Sequence, residues 1–293
     1  MPFHQLVIEL GPVDPGQAER ACNALGAIAL SLADAGDQPL LEPAPGATPL
    51  WREIRLRALF ADAADPMLLA ATLTAVLGLP VHAIQCERVA DRVWEREWLK
   101  DFRPMRFGRR LWVCPGGQQP PDPAAIVLEL DPGLAFGTGT HATTALCLEW
   151  LDAHLAAGSA VLDYGCGSGI LALAALKLGA AHATAFDIDP QALSATRENA
   201  ARNALAGRLT IAQAAARIDG PFALVLANIL AGPLRQLAPE LAGHCRPGGT
   251  VLLAGLLDAQ AAEVAEAYGP WFDVETAARR DGWAALAGRR RAE

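Results

Sequence analysis

The sequence predicts a small α+β domain followed by a larger, doubly wound α/β domain. Strands and helices follow the order β-α-β-β-α-β over residues 1–88, and they alternate regularly from residue 125 onward. Between residues 161 and 178 a buried strand runs directly into a glycine-rich turn and a helix, as in nucleotide-binding α/β domains. A chain of 293 residues, 52% of them hydrophobic, is large enough for two such domains.

Residues 1–88 contain the elements of a ferredoxin-like domain. The predicted strands are Gln5–Leu10, Ala27–Ala33, Trp51–Phe60 and His82–Glu87, and the predicted helices are Pro15–Leu25 and Pro66–Leu77. Three prolines and a glycine between Leu40 and Pro49 predict a loop between the two middle strands. This order is that of the split ferredoxin-like unit, a common platform for substrate recognition.

Residues 89–124 are predicted to form a linker helix and a loop. Trp94, Trp98 and Phe102 recur every four residues and therefore share one stripe of a helix over Ala90–Phe102. We interpret the stripe as packing against a neighbouring domain, and an aromatic platform for a substrate is the alternative. Prolines and glycines in Pro115–Pro123 predict the loop before the second domain, residues 125–293.

The second domain is predicted to have seven strands, enough for a complete mixed sheet of the doubly wound type. A strand at Phe222–Ala227 precedes the tight turn at Arg246-Pro-Gly-Gly, which leads into another buried strand. A helix at Asp258–Tyr268 is followed by strands at Phe272–Ala277 and Trp283–Gly288, which can pair as a closing antiparallel hairpin.

The segment Val161-Leu-Asp-Tyr-Gly-Cys-Gly-Ser-Gly169 predicts a binding site for a nucleotide-like ligand. Glycine adopts positive φ and lets backbone lie against a ligand, and the predicted helix Ile170–Leu178 presents unpaired amides beside it. The dinucleotide fingerprint requires a glycine where this chain has Ile170. A tight strand-to-helix connection that binds nothing is the alternative.

An acidic residue at the end of the next strand favours the binding interpretation. Asp187 follows the turn by roughly twenty residues, where a carboxylate can accept both hydroxyls of a ribose. Asp189 precedes Pro190 and is predicted to cap a helix instead. With Asp163 two residues before the first glycine, the pattern resembles the S-adenosylmethionine site of class I methyltransferases, which implies a Rossmann-like, seven-stranded mixed sheet.

Four segments together closely resemble the bacterial ribosomal protein eleven methyltransferase family. They are the glycine-rich run Asp131–Thr144, Asp163-Tyr-Gly-Cys-Gly-Ser-Gly169, Asp187-Ile-Asp-Pro190 and Ala227-Asn-Ile-Leu-Ala-Gly-Pro233, and the likeness extends to Trp94–Trp98 and Pro104–Gly108. The resemblance implies methylation, with S-adenosylmethionine as methyl donor, of lysine side chains and the N-terminal α-amine of that large-subunit ribosomal protein. It also implies that the N-terminal domain binds the protein substrate.

The resemblance implies a set of cofactor-binding residues in this chain. Its members are Thr144, Gly165, Gly167, Asp187, Ile188, Asn228 and Asp163, with Phe136, Gly137 and Thr138 around the methionine end. The family usually has proline after the histidine, where this chain has Ala142. We expect positioning of the reactants and no acid or base catalyst; His141 is a candidate base that could equally order the loop by hydrogen bonding.

Asn228 ends a predicted strand where related enzymes keep Asn-Pro-Pro-Tyr to align a planar nitrogen. Here the sequence reads Asn-Ile-Leu-Ala, which leaves room for a flexible amine. A strand-end asparagine that makes a turn is the alternative.

Composition limits the remaining function classes. The net charge is −8, and residues 1–87 hold four arginines against ten acidic residues, which disfavours nucleic acid and suits a basic protein partner. Six scattered cysteines predict neither a metal site nor disulfides, which fits a reducing cytoplasm, and no uninterrupted apolar stretch is long enough to span a bilayer. We expect a cytoplasmic, non-membrane protein and a monomer. A nicotinamide dehydrogenase, an RNA or small-molecule methyltransferase and a non-catalytic adaptor remain alternatives.

Overall fold

The computed structural model describes residues 3–38, 48–89, 103–131 and 139–292. The chain divides into two compact units, Met1–Val93 and Trp94–Glu293. The predicted helix over Ala90–Phe102 and most of the predicted loop Leu40–Pro49 lie outside the described residues.

The N-terminal unit has the predicted β-α-β-β-α-β order. Its strands are β1 (Phe3–Glu9), β2 (Ala29–Asp34), β3 (Ile54–Ala61) and β4 (Ile84–Val89), and its helices are α1 (Pro15–Ala24) and α2 (Pro66–Leu77). The strands form one antiparallel sheet in the order β2-β3-β1-β4. Alternating residues of β1 and β3, including Leu6, Ile8 and Leu56, face the helices and form the core of this unit.

Helix α2 has the bounds that the sequence predicts because its ends carry strong local signals. Asp65 accepts hydrogen bonds from the amides of Met67 and Leu68, at 2.9 and 3.3 Å, and Pro66 occupies the first turn. Gly78 ends the helix in the left-handed conformation.

The second unit begins with a three-stranded sheet where the sequence predicted a linker and loop. Strands β5 (Met105–Phe107) and β6 (Leu111–Pro115) pair antiparallel, and β6 pairs parallel with β7 (Ile126–Leu130). Leu111 and Val113 are buried in the same core as the helices that follow, so residues 105–115 belong to the second unit's fold. Strand β6 forms because it pairs with β7 over a long sequence separation, so the local sequence pattern does not reveal the strand.

The remaining strands form the predicted seven-stranded mixed sheet. They are β8 (Ala160–Tyr164), β9 (His182–Phe186), β10 (Leu209–Ala212), β11 (Phe222–Asn228), β12 (Cys245–Leu257), β13 (Phe272–Arg280) and β14 (Trp283–Arg290), and their order is β10-β9-β8-β11-β12-β14-β13. The hairpin of β13 and β14 is antiparallel, as predicted, and β14 also runs antiparallel to β12.

Six α-helices among the residues described accompany this sheet: α3 (Ala142–His154), α4 (Ile170–Lys177), α5 (Pro190–Arg202), α6 (Ala231–Gln236), α7 (Ala238–His244) and α8 (Ala261–Tyr268). Helix α4 is buried from Ile170 to Leu176, which explains why its sequence is apolar all round. The strand order reverses direction between β8 and β11, so their carboxyl ends open a crevice where α/β proteins bind ligands.

Candidate functional site

The turn between β8 and α4, residues 165–169, is referred to below as the glycine turn. Its three glycines all have positive φ, at 81°, 53° and 79°. A Cβ added to Gly165 would collide with the side chain of Ile229, and one on Gly169 would lie 2.8 Å from Cγ2 of Thr196. The turn therefore needs glycine at both positions, for conformation and for space.

Asp187 connects the glycine turn to the end of β9. Its Oδ2 accepts a hydrogen bond from the amide of Gly167 at 2.9 Å, and its Oδ1 accepts one from the amide of Asp189 at 3.0 Å. Asp189 in turn caps α5 by accepting from the amide of Gln191 at 2.8 Å, so its predicted capping role is confirmed. The Asp187 carboxylate thus lies beside the backbone of the turn.

Asp163 lies beneath the glycine turn and is 1% exposed. Its Oδ2 accepts a hydrogen bond from the amide of Ala172 at 2.9 Å, and its Oδ1 has no hydrogen-bond partner in the described part of the chain. Burial raises the pKa of this carboxyl to about 7, and the nearby charge of Asp187 raises it further, against the opposing effect of the Ala172 amide.

A cavity of about 540 Å³ opens at the carboxyl ends of β8, β9 and β11. The glycine turn and the Asp187 carboxylate form part of its wall. Most of the rest is apolar, which suits a ligand with a flat ring and an aliphatic part. The apolar lining residues are Phe186, Ile188, Ile229, Leu230, Pro233, Leu237 and Trp283.

The opposite wall is built from side chains at the end of β11 and the start of α3. Asn228 is the last residue of β11, and its Nδ2 donates to Oγ1 of Thr144 at 3.3 Å. His141 caps α3: its Nδ1 accepts from the amide of Thr143 at 3.3 Å. The His141 ring meets Trp283 edge-on, with ring centroids 4.8 Å apart.

Comparison with known proteins identifies the family to which this geometry belongs. Residues 2–291 match the model of the family described as ribosomal protein L11 methyltransferase (PrmA). The chain belongs to this family. A ribosomal protein L11 methyltransferase of Pseudomonas paraeruginosa is 51% identical over 296 residues, covering 100% of both chains. One of Azotobacter vinelandii is also 51% identical, over 294 residues, covering 99% of this chain and 100% of the relative.

A solved structure supports the same assignment. The crystal structure of a ribosomal protein L11 methylase from Lactobacillus delbrueckii subsp. bulgaricus has a TM-score of 0.60 and 34% sequence identity, and covers 65% of this chain and 100% of that chain. The chain is therefore a methyltransferase with the class I fold, and the family predicted from the four sequence segments is confirmed.

The structure brings five of the predicted cofactor-binding residues of this methyltransferase to the cavity: Gly165, Gly167, Asp187, Ile188 and Asn228. Thr144 is 1% exposed and is absent from the cavity lining, and its Oγ1 accepts from Asn228. Asp163 lies behind the turn and is absent from the lining. Phe136, Gly137 and Thr138 lie outside the described residues.

Sequence reasoning missed several lining residues. Trp283 comes from the start of β14, far along the chain, and no local signal connects it with the turn. Leu230 and Pro233 lie within the segment Asn228-Ile-Leu-Ala-Gly-Pro233, which could have indicated them, and Leu237 lies beyond it. Tyr164 also lines the cavity, and its hydroxyl donates to Oε1 of Glu240 at 3.0 Å.

Cys166 has the properties of a packing residue. Burial, with Asp163 close by, raises the pKa of its thiol, which disfavours the nucleophilic thiolate. Among the described residues, no three His, Cys, Asp or Glu side chains are grouped as metal ligands. None of the helices described is both long enough and apolar enough to cross a membrane.

Proposed function

We propose that this enzyme transfers methyl groups from S-adenosylmethionine to amino groups of ribosomal protein L11, both lysine side chains and the N-terminal α-amine. The observation that carries the proposal is the full-length match to proteins named for that substrate, at 51% identity. The alternative is an enzyme of the same fold that acts on another protein, an RNA or a small-molecule amine.

The cavity supports S-adenosylmethionine as the methyl donor because its residues fit the parts of that molecule. The Asp187 carboxylate is suited to the ribose hydroxyls, and Phe186 and Ile188 offer apolar surface for the adenine ring. Gly165 and Gly167 let the backbone approach the ligand without side chains. Asn228 and Thr144 are assigned to the methionine end, together with Phe136, Gly137 and Thr138.

When bound, S-adenosylmethionine supplies an electrophilic methyl group, so the chain's own residues need only hold the amine in line and exclude water. The amine must be neutral to react. Near pH 7.4 a lysine of pKa ~10.4 lies about three pH units from its neutral form, a cost of roughly 4 kcal/mol, whereas an α-amine of pKa ~7.8 pays almost none. An apolar wall of Leu230, Pro233 and Trp283 favours the neutral amine by desolvation.

No residue is assigned to acid or base catalysis in this proposal. His141 is the titratable nitrogen base beside the Asn228 wall, but its Nδ1 is engaged with Thr143, whose Oγ1 lies 2.8 Å away. We assign it to ordering the start of α3, so methyl transfer depends on positioning.

The N-terminal unit is assigned to recognition of the protein substrate. Helix α2 exposes Met67 and Leu68, 74% and 65% accessible, together with Val76, and Val81 follows it. Exposed apolar side chains such as Met67 and Leu68 offer surface for contact with a protein. The net charge of −6 over residues 1–87 suits a basic partner such as a ribosomal protein. Because its proposed substrate is a ribosomal protein, we expect the enzyme to be a cytoplasmic monomer.

Mass spectrometry of purified L11 after incubation with the enzyme and S-adenosylmethionine tests the proposal. We expect mass gains in methyl steps, located by peptide mapping on lysines and on the N-terminus. A reaction without S-adenosylmethionine and one with an Asp187→Ala enzyme are the controls. Calorimetric binding of S-adenosylmethionine without any gain would redirect the search to another protein, to protein-free RNA or to a small amine. Absence of both would contradict the enzymatic assignment.

A further inference from the structure

Helix α5 and its C-cap residue carry three buried polar side chains on one stripe that faces the glycine turn and β7. Thr196 and Asn199 are 0% exposed and Asn203 is 7% exposed, and their spacing of three and four residues places them on the same side of the helix. Burying a hydroxyl or an amide is costly unless it is hydrogen-bonded, so each of these side chains needs a specific partner.

The first two members of the stripe hold carbonyl groups of the glycine turn. Thr196 Oγ1 donates to the carbonyl of Gly167 at 2.9 Å, and Asn199 Nδ2 donates to the carbonyl of Ser168 at 3.0 Å. These two carbonyls belong to consecutive peptide groups. The amide of Gly167 donates to Asp187, and the amides of Gly165 and Cys166 donate to the carbonyl of Phe186 in β9 at 2.8 and 3.0 Å. The turn is therefore held by α5 through its carbonyls and by the end of β9 through its amides.

Asn199 also reaches a second segment of the chain. Its Oδ1 accepts a hydrogen bond from the amide of Asp131 at 3.0 Å, at the end of β7. One fully buried amide therefore joins the turn that lines the cavity to the end of a strand in the neighbouring sheet. Glycines at three positions leave the turn many alternative conformations, and fixed side-chain partners select one of them.

Asn203, the C-cap residue of α5, provides an internal comparison one turn further along. Its Oδ1 accepts from the amide of Glu129 at 3.0 Å, and its Nδ2 donates to the carbonyl of Glu129 at 2.6 Å. It therefore anchors α5 to β7 as Asn199 does, but its hydrogen bonds do not reach the glycine turn. The two asparagines share residue type and burial, although Asn199 lies within α5 and Asn203 at its C-cap, and they differ in whether they hold the turn.

We propose that Asn199 is a positioning residue of the cofactor site, which holds the glycine turn in its binding conformation by tying the Ser168 carbonyl and the end of β7 to α5. Thr196 supports the same turn through Gly167. The proposal rests on the proposed function, because it assumes that the turn binds S-adenosylmethionine.

The test compares Asn199→Ala with Asn203→Ala by calorimetry with S-adenosylmethionine, steady-state kinetics and urea unfolding. Both variants lose a buried hydrogen-bonded amide, so we expect similar decreases in the urea midpoint. Only Asn199→Ala should weaken binding, with a dissociation constant raised about ten-fold and kcat at saturating donor changed less than about two-fold. A purely structural role would lower stability without this separation.

Thr196→Val keeps the test decisive if Asn199→Ala does not fold. It removes only the hydroxyl bonded to Gly167 and should raise the dissociation constant about three-fold. Equal dissociation constants for the Asn199 and Asn203 variants, or an unchanged value for Thr196→Val where it alone folds, would overturn the positioning role. A wild-type protein that binds no S-adenosylmethionine would instead overturn the proposed function.

Discussion

At the Asp187 end of the cavity, the hydrogen bonds join side chains to backbone groups of the glycine turn and its neighbours, whereas at the Asn228 end they mainly join side chains to one another, apart from the Thr143 amide that donates to His141. Both oxygens of Asp187 accept backbone amides, and the carbonyls of Gly167 and Ser168 are held by α5. Asn228 donates to Thr144, and His141 lies 2.8 Å from the Thr143 hydroxyl and against the Trp283 ring.

This difference matches what each end has to do in the proposed reaction. The donor molecule is the same in every turnover, so a site fixed by backbone hydrogen bonds fits it each time. An amine that gains methyl groups changes its bulk and hydrogen-bonding capacity between turnovers. The Asn228 end, assigned to the methionine end of the donor, adjoins the wall of Leu230, Pro233 and Trp283 that is assigned to the amine. Side chains adapt to such changes more readily than backbone, because a rotamer change leaves the fold intact.

Replacing Asp187 should have the largest effect on the backbone-built end. We expect Asp187→Ala to raise the dissociation constant for S-adenosylmethionine about 100-fold, about 3 kcal/mol, because two charge-assisted hydrogen bonds to the ribose are lost. Isothermal titration calorimetry measures this.

The neighbouring acid provides the control for that experiment. Asp189→Ala removes the cap of α5 and should cost about 1 kcal/mol of unfolding free energy while leaving the dissociation constant within about two-fold. Equal losses of affinity in both variants would mean that general disruption of the β9 end, and not a ribose contact, explains the result.

The pH dependence of stability tests whether the buried carboxyl of Asp163, beneath the glycine turn, is neutral in the folded protein. Its pKa is raised from an ordinary 3.8 to about 7, so the folded protein keeps a proton that the unfolded chain releases. The retained proton stabilises the folded protein, and this contribution is complete below the pKa of the unfolded chain, 3.8. It disappears as the pH rises through the folded pKa of about 7. Wild-type stability relative to Asp163→Asn should therefore fall by about 2 kcal/mol between about pH 5.5 and 7.

Urea unfolding of both proteins across that range gives the measurement. Taking the difference removes titrations that both proteins share. Asparagine keeps an oxygen for the Ala172 amide, so the two proteins differ mainly in the ionisable proton. A stability difference that does not change with pH would show that Asp163 ionises normally in the folded protein.

The sequence predicted most of the backbone-built end because local signals encode it. The glycine turn, Asp187 and the Asp189 cap follow from spacing within a short segment, and α2 has its predicted bounds because Asp65 and Gly78 mark them. These features depend on φ values, capping and strand ends, which act over a few residues.

Long-range contacts explain what the sequence did not predict. Strand β6 is defined by pairing with β7, and a local pattern containing Gly108 and Pro115 conceals it. Trp283 reaches the cavity only through the position of β14 in the sheet. The local sequence around Asn199 is typical of an exposed helix position. Its burial depends on the neighbouring sheet and on the glycine turn.

Asn228 and Thr144 test the end that is built from side chains. Asn228→Ala should raise the dissociation constant for S-adenosylmethionine about ten-fold, because a single uncharged hydrogen bond to the methionine end is lost. Thr144→Val keeps the shape of the side chain and removes the oxygen that accepts from Asn228, so it should cost about three-fold. The double variant should be little worse than Asn228→Ala. A large fall in kcat with unchanged affinity would assign Asn228 to the amine.

His141 should have the smallest effect, since it orders the start of α3 and is not assigned to proton transfer. We expect His141→Ala to lower kcat about three-fold and to cost about 1 kcal/mol of stability through loss of the helix cap. His141→Asn separates the two roles, because asparagine is a good cap but has no imidazole to act as a base. Recovery of kcat in His141→Asn would support ordering of the helix start. Complete loss of turnover in both variants, with donor affinity intact, would identify His141 as the base and make this wall of the cavity chemically active.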